Sequence, residues 1–195
     1  AGINVKEGTL RIRNFSGTTT TSSLTVESGA RLIGRGNTQS ILLRKGSTIA
    51  PGVDDNTTGT LATTGNFIAY GGSTLCFKVS QSGNDKVKTG GTMRLMGDTI
   101  RIQPIDGRTF TEGESIQIFD GTVNASSKWV IDGAGYDWDD SLLISSGTLV
   151  CKGEVTGIGS IASGEPDSVR YFDATGMEVA PKQMRRHQVY IERTV

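Results

Sequence analysis

The sequence predicts an all-β fold: a right-handed parallel β-helix, or solenoid, followed by a small C-terminal β hairpin. Three observations carry this expectation. First, a short phrase recurs, with Gly29-Ala30-Arg31-Leu32 returning as Gly46-Ser47-Thr48-Ile49. Each copy opens with glycine and a small residue, ends on an aliphatic one, and follows a short apolar strand candidate, Leu24-Thr25-Val26 or Ile41-Leu42-Leu43. A glycine opening a brief β run at about one solenoid turn points to stacked repeats rather than a closed sandwich. Second, 27 of the 195 residues are glycine and only 4 are proline, with no three-residue glycine period. That suits many short strands joined by tight turns, where glycine supplies positive φ. Third, Thr, Val and Ile are numerous and long helix-forming stretches are missing, which favours strands on steric grounds.

The length fits one all-β domain, or one domain with a small appendix. The expected division is a solenoid with its closing aromatic segment over residues 1–152, then a linker and small β element over residues 153–195. Twenty basic and 20 acidic residues cancel, which leaves no general nucleic-acid footprint. No apolar run approaches the length of a membrane-spanning helix. The start, AGINVKEG, is already strand-like, so the expectation is a piece of a longer chain with an upstream domain as its partner.

Cys76 and Cys151 are the two cysteines. They could form one disulfide, as suits an oxidising compartment, or pack separately as small apolar groups. Two thiols and the single His187, far apart in sequence, make no metal site. No cofactor is expected.

Along the chain, Ile3 and Val5, then Leu10 and Ile12, alternate with polar residues in two strands around Gly8. Gly8-Thr9-Leu10 reads as an earlier copy of the phrase, and Ser16 to Ser23 as a loop. Pro51-Gly52 makes a turn. Asp54, Asp55 and Asn56 follow as a polar turn without the alternating ligands of a calcium loop. Gly72 to Val79 is the clearest strand, with Leu75, Phe77 and Val79 inward and Thr74, Cys76 and Lys78 outward. Ser82 to Asp85 is a turn, and Gly91-Thr92-Met93-Arg94-Leu95 reads as the phrase again. Leu10, Leu24, Val26, Leu32, Ile41, Leu43, Ile49, Leu75, Phe77, Val79, Leu95, Ile100 and Ile102 are the expected core. Ser115 to Phe119 is a strand, and residues 142–150 form a last hairpin around Gly147. In the tail, Val169 to Phe172 should pair with Val189 to Ile191, with Pro181 to Gln188 at the surface. A lone hairpin is marginal, so Tyr171, Phe172 and Tyr190 should dock near Trp129 and Trp138.

Chemistry is sparse. Trp129, Tyr136 and Trp138 lie beside Asp132, Asp137, Asp139 and Asp140, a set able to bind a sugar by stacking and hydroxyl hydrogen bonds. The favoured reading of the same rings is an apolar lid on one end of the solenoid. Asp137 and Asp139 face one side of an extended segment, the pairing that glycosidic chemistry needs, with Arg94 and Arg101 as assisting cations. A solvated surface accounts for those charges equally well. His187 sits in a basic tail with Lys182, Arg185, Arg186 and Arg193, a stretch able to engage an acidic partner. There is no GxSxG elbow, phosphate loop or zinc spacing, so no residue is assigned a catalytic role.

Read together, SLTVESGARLIGRG, GSTIAPG, GTLATTGNF, GSTLCFKV, DKVKTGGTMRLMGDTIRI and TFTEGESIQIFDG resemble the passenger β-helix of autotransporter-type surface proteins. The resemblance covers about residues 3–151, and YDWDDSLLISSGTLVC is similar to that family's closing segment. Residues 157–191 resemble the C-terminal sorting region of secreted Bacteroidetes-type proteins. Tyr171-Phe172-Asp173, Gly176, Val179 and Tyr190-Ile191 match its pattern, while Met177-Glu178 and His187-Gln188 stand where a basic pair and Lys-Gly are usual. The resemblance implies a secreted or outer-cell-surface, non-catalytic module: a stalk, spacer or adhesion scaffold of a larger protein, near polysaccharide or other surface components. The alternatives are a carbohydrate-binding module using Trp129, Tyr136 and Trp138, with Asp137 and Asp139 as further glycan contacts, and a fragment of a polysaccharide lyase or hydrolase.

Overall fold

Short apolar strands separated by glycine turns leave the chain few ways to satisfy its backbone except by pairing each strand with one in a neighbouring repeat. The computed structural model describes residues 2–13, 19–155, 169–172, 178–179 and 191–194. It divides into two units, Ala1–Val155 and Thr156–Val195. Among the described residues the only helix is one turn, and the rest of the regular structure is β.

In the first unit the strands build two parallel ladders. The first holds β1 (Gly2–Val5), β3 (Thr19–Val26), the second half of β4 (Arg31–Leu43), β6 (Thr60–Thr63) with β7 (Phe67–Ala69), β9 (Lys86–Met96) and β12 (Phe119–Ser127). The second holds β2 (Thr9–Arg13), the first half of β4, β5 (Thr48–Pro51), β8 (Thr74–Val79), β10 (Thr99–Pro104) and β13 (Val130–Asp132). The chain visits the first ladder and then the second, six times in succession. Each rung pairs in parallel with the one before.

The corner from first ladder to second carries the recurrent phrase. The N–H of Gly29 donates to Gly46 O, that of Gly46 to Gly72 O and that of Gly72 to Gly97 O. All four glycines have positive φ, which other residues adopt at a penalty. Behind them stack Ala30, Ser47, Ser73 and Asp98, all buried. Ser73 donates to Asp98 from both N and Oγ, at 3.2 and 2.7 Å. Gly97-Asp98-Thr99-Ile100 is thus the true fourth copy. The expected copy at Gly91 lies in the other ladder, where Met93 pairs with Phe67. Gly8 is offset by one residue, because Thr9 pairs with Arg31.

Side chains alternate across the ladders as period-2 patterning requires. One inward column of the second ladder is Leu10, Leu32, Ile49, Leu75, Ile100 and Ile131, and one of the first is Leu24, Ile41, Phe67, Met93 and Val123. Phe77 of β8 meets Phe119 of β12 edge-on, with centroids 5.3 Å apart. Twelve of the thirteen expected core residues are buried, and Leu10 is half-buried against them.

Several local expectations are corrected. Ser16 to Ser23 is not all loop: β3 begins at Thr19, where a threonine run finds partners in Asn37 and Thr38. Strand β4 runs unbroken through Gly34 and Gly36, turning from one ladder into the other at φ +121° and +142°. A Cβ on Gly34 would stand 2.0 Å from Ile12 O. Ser115 to Phe119 divides between β11 (Ser115–Gln117) and β12. Residues 142–150 form no hairpin. Leu143–Ser146 closes as a helical turn, α1, ended by Gly147 at φ +70°. β15 (Thr148–Glu154) then pairs antiparallel with both β11 and β14 (Tyr136–Asp139). Lys78 and Cys76 are buried rather than exposed.

In the second unit, β16 (Val169–Phe172) pairs antiparallel with β18 (Ile191–Thr194), and β17 (Glu178–Val179) pairs on its other side. The partner of Val169–Phe172 therefore starts at Ile191 rather than ending there. Tyr190, His187, the stretch Pro181 to Gln188 and the connecting residues 156–168 lie outside the described residues.

Candidate functional site

The aromatic and acidic segment at 129–140 is the set that sequence singled out for glycan contact. Trp129 immediately precedes β13, the sixth strand of the second ladder, and Tyr136 and Trp138 project from β14. Trp129 and Trp138 are 9% and 6% exposed, and Tyr136 is half-buried against the same core. Phe110 packs edge-to-face on Tyr136 at 5.1 Å and on Trp138 at 4.9 Å. The indole N–H of Trp129 donates to Asp140 Oδ2 at 2.8 Å, and that of Trp138 to Gly133 O at 3.3 Å. A stacked sugar needs a free ring face, and the burial of Trp129 and Trp138 leaves little of either ring open.

The carboxylates of this segment are engaged locally. Asp137 accepts from the N–H of Trp138 at 2.9 Å and lies 3.9 Å from Lys152. Asp139 accepts from the N–H of Ser141 at 2.9 Å. The hydrogen bonds from Ser141, backbone first and then side chain, hold its carboxyl below the usual carboxylate range. That is the wrong direction for a general acid, which needs a raised value. Arg101 donates to Asp132 at 2.7 Å across one rung. Arg94 instead lines a surface cavity with Met96, Asn124, Ala125 and Ser126. Asp55 pairs with Arg31, which lowers its carboxyl, and Asp54 accepts from the N–H of Asn56 at 3.0 Å. Among the described residues no three metal-ligating side chains converge.

The most unusual electrostatics lie where sequence pointed to a plain surface. Lys78 Nζ is 2.8 Å from Asp85 Oδ2, with both side chains almost wholly buried. Alternation along β8 places Lys78 on the outward face, but the turn at 51–59 passes over it. A Cβ on Gly52 would be 3.0 Å from Lys78 Nζ and 2.0 Å from Thr57 O. Lys78 Nζ also donates to Pro51 O. Asp85 accepts from Gly59 N at 2.7 Å and from Lys78 N at 2.9 Å. Burial pushes the Asp85 carboxyl up to about 6, against the lysine and the two backbone donors, which favour its charged form. The pair ties the turn at 51–59 to the hairpin at 78–85. Its contacts are all internal, so it organises structure rather than chemistry. A lone outward lysine seven residues before an acid gave no sequence signal that a loop would enclose both.

Cys76 and Cys151 are both free and buried. Cys76 packs with Ile33 and Ala50, while Cys151 belongs to the main core. The disulfide considered from sequence is therefore not formed. Burial raises the Cys76 thiol, and its Sγ donates to Gln103 Oε1 at 3.2 Å.

The chain matches no protein-family model, no curated protein and no solved structure. No helix among the described residues is long and apolar enough to cross a membrane.

Proposed function

We propose that residues 2–154 form a right-handed parallel β-helix serving as a non-catalytic stalk, spacer or adhesion scaffold of a larger secreted or cell-surface protein. The carrying observation is the sixfold alternation between two parallel ladders, with inward columns such as Leu10, Leu32, Ile49, Leu75, Ile100 and Ile131 running from rung to rung. Parallel β connections are right-handed with few exceptions. Repeats that touch only their neighbours give a rod-like element lengthened by about 4.8 Å per rung. Such an element holds other domains at a set distance without an active site of its own.

The alternatives have less support. A carbohydrate-binding module using Trp129, Tyr136 and Trp138 needs ring faces that here meet protein. A lyase or hydrolase fragment needs a carboxylate pair with separated acidities, and Asp137 and Asp139 are tied to Lys152 and Ser141. The test is to label intact source cells and their shed material with antibody against the full chain. Surface or shed labelling is expected. Labelling confined to lysed cells would overturn the surface assignment, and turnover of polysaccharide by the purified chain would overturn the non-catalytic one.

A further inference from the structure

The outward face of the first ladder carries a feature that a bare spacer does not require. On β9, Arg94 and Met96 point outward two residues apart, and Asn124 of β12 pairs directly with Arg94. Beyond Asn124 the ladder is irregular: Ser127 pairs with Met96, so Ser126 bulges out of register. The bulge opens a cavity of about 400 Å³ lined by Arg94, Met96, Asn124, Ala125 and Ser126. Bulges of this kind re-aim side chains beside binding sites, and the volume falls in the range of small-ligand clefts.

The lining has a definite chemistry. Arg94 is exposed and has no ion pair among the described residues. No carboxylate lines the cavity. The nearest acids are engaged elsewhere, Asp98 just beyond β9 with Ser73 and Asp120 of β12 with Lys88 at 2.7 Å. An unpaired guanidinium offers two parallel N–H groups to a carboxylate. The carboxamide of Asn124 and the hydroxyl of Ser126 add donors and acceptors suited to sugar hydroxyls. Met96 and Ala125 supply an apolar wall for C–H groups.

The face continues along the stack. Tyr70 follows Ala69, which is level with Leu95, so the tyrosine lies one rung below Met96. Tyr70 is 36% exposed, with the Arg44 guanidinium 5.1 Å from its ring centroid. Arg44 thus sits two rungs from Met96, or about 10 Å by strand spacing. A second exposed cation at that separation, beside an aromatic face, suits an extended anionic polymer rather than a single small ion.

We propose that the outward face of β9 and β12, centred on Arg94 and extended by Tyr70 and Arg44, binds a carboxylate-bearing residue of an acidic polysaccharide. The site lies apart from the buried rings at 129–138 and does not depend on the scaffold reading. The test titrates the full chain with a short oligogalacturonate, a neutral cello-oligosaccharide of equal length, and sodium acetate, followed by calorimetry and backbone NMR. The oligogalacturonate should bind, shifting amides of residues 68–70, 94–96 and 124–126. Arg94→Ala should weaken binding at least about tenfold with the melting temperature unchanged, since Arg94 is exposed and unpaired. Arg101→Ala, which removes a cation already held by Asp132, should leave affinity within about twofold. No detectable binding at about 10 mM oligosaccharide, equal affinity for the neutral oligomer, or undiminished binding by Arg94→Ala would each overturn the proposal. Acetate competing as strongly as the oligomer would reduce the site to a bare anion contact and overturn it as well.

Discussion

Replacing Asp85 with alanine probes the one buried ion pair of the second ladder. The substitution leaves the Lys78 ammonium enclosed with only Pro51 O as a partner, and it removes the acceptor of Gly59 N and Lys78 N. Breaking a buried pair from one side costs about 3–5 kcal/mol, because the surviving charge is desolvated and uncompensated. Removing both charges is a different perturbation. In Lys78→Met with Asp85→Ala no ion remains, and the losses shrink to two backbone N–H groups and one carbonyl that water can partly reach. The double variant should therefore be more stable than Asp85→Ala alone, with a coupling of about 1–3 kcal/mol. Urea unfolding of wild type, both single variants and the double variant gives the cycle directly, provided the urea dependence of stability is the same in all four. An Asp85→Ala loss below about 1 kcal/mol, or strict additivity, would refute the reasoning. Either result would mean that the turn at 51–59 opens freely and lets water reach Lys78.

Three further expectations follow from the same geometry. Phe77→Ala removes a fully buried ring that touches the opposite ladder, and should destabilise by about 3–5 kcal/mol, against about 0.5 kcal/mol or less for the exposed Ile144→Ala. Monitoring by Trp129 and Trp138 fluorescence also shows whether the core melts as one unit. The Asp85 carboxyl at about 6 in the folded chain stands above its ordinary 3.8, so the folded state holds the proton more tightly between those values. Its contribution to stability therefore falls as pH rises from about 4 to 6, by up to about 3 kcal/mol. The stability difference between wild type and Asp85→Ala should accordingly be larger at pH 4.5 than at pH 7, roughly following that window, and a flat difference would contradict the raised value. Finally, Cys76 and Cys151 should react with a thiol reagent only at the rate of unfolding, and the intact mass should show two reduced thiols. Fast labelling of the native chain would contradict their burial.

Much of the architecture could be read from sequence because period-2 alternation and positive-φ glycines are local signals. The columns through Leu32, Ile49, Leu75 and Ile100, and the corner at Gly29 and Gly46, needed nothing else. What escaped depends on non-local cover. Lys78 and Cys76 sit at outward positions by alternation, and neighbours distant in sequence make them buried: the turn at 51–59 over Lys78, and Ile33 and Ala50 beside Cys76. The corner copy at Gly97 was hidden by Asp98, whose charged side chain disguises a small-residue position and is tolerated because Ser73 and Met96 N donate to it. The run at Gly91 has the same composition as the corner phrase but a different place in the rung, which composition cannot distinguish. The aromatic residues at 129–138 were legible as either a lid or a ligand platform, because contacts such as those of Phe110 with Tyr136 and Trp138 are set by the fold and not by local pattern. The cavity at Arg94 arises from a bulge at Ser126, and bulges leave no mark in an alternation pattern.

The central claim is that successive rungs are equivalent and stack in register. Deleting residues 30–46 tests it most directly, because it joins Gly29 to Ser47, the position level with Ala30 in the next rung. In the shortened chain Leu10 should fall onto Ile49 and Leu24 onto Phe67, restoring both inward columns with one rung fewer. The measurement is thermal unfolding of the deletion variant, followed by far-ultraviolet circular dichroism and tryptophan emission. The account predicts a single cooperative β-sheet transition, at a somewhat lower temperature than wild type, with Trp129 and Trp138 still in a buried environment before it. A variant that shows no cooperative transition, or whose tryptophans are already solvent-exposed at low temperature, would contradict the stacked-rung architecture.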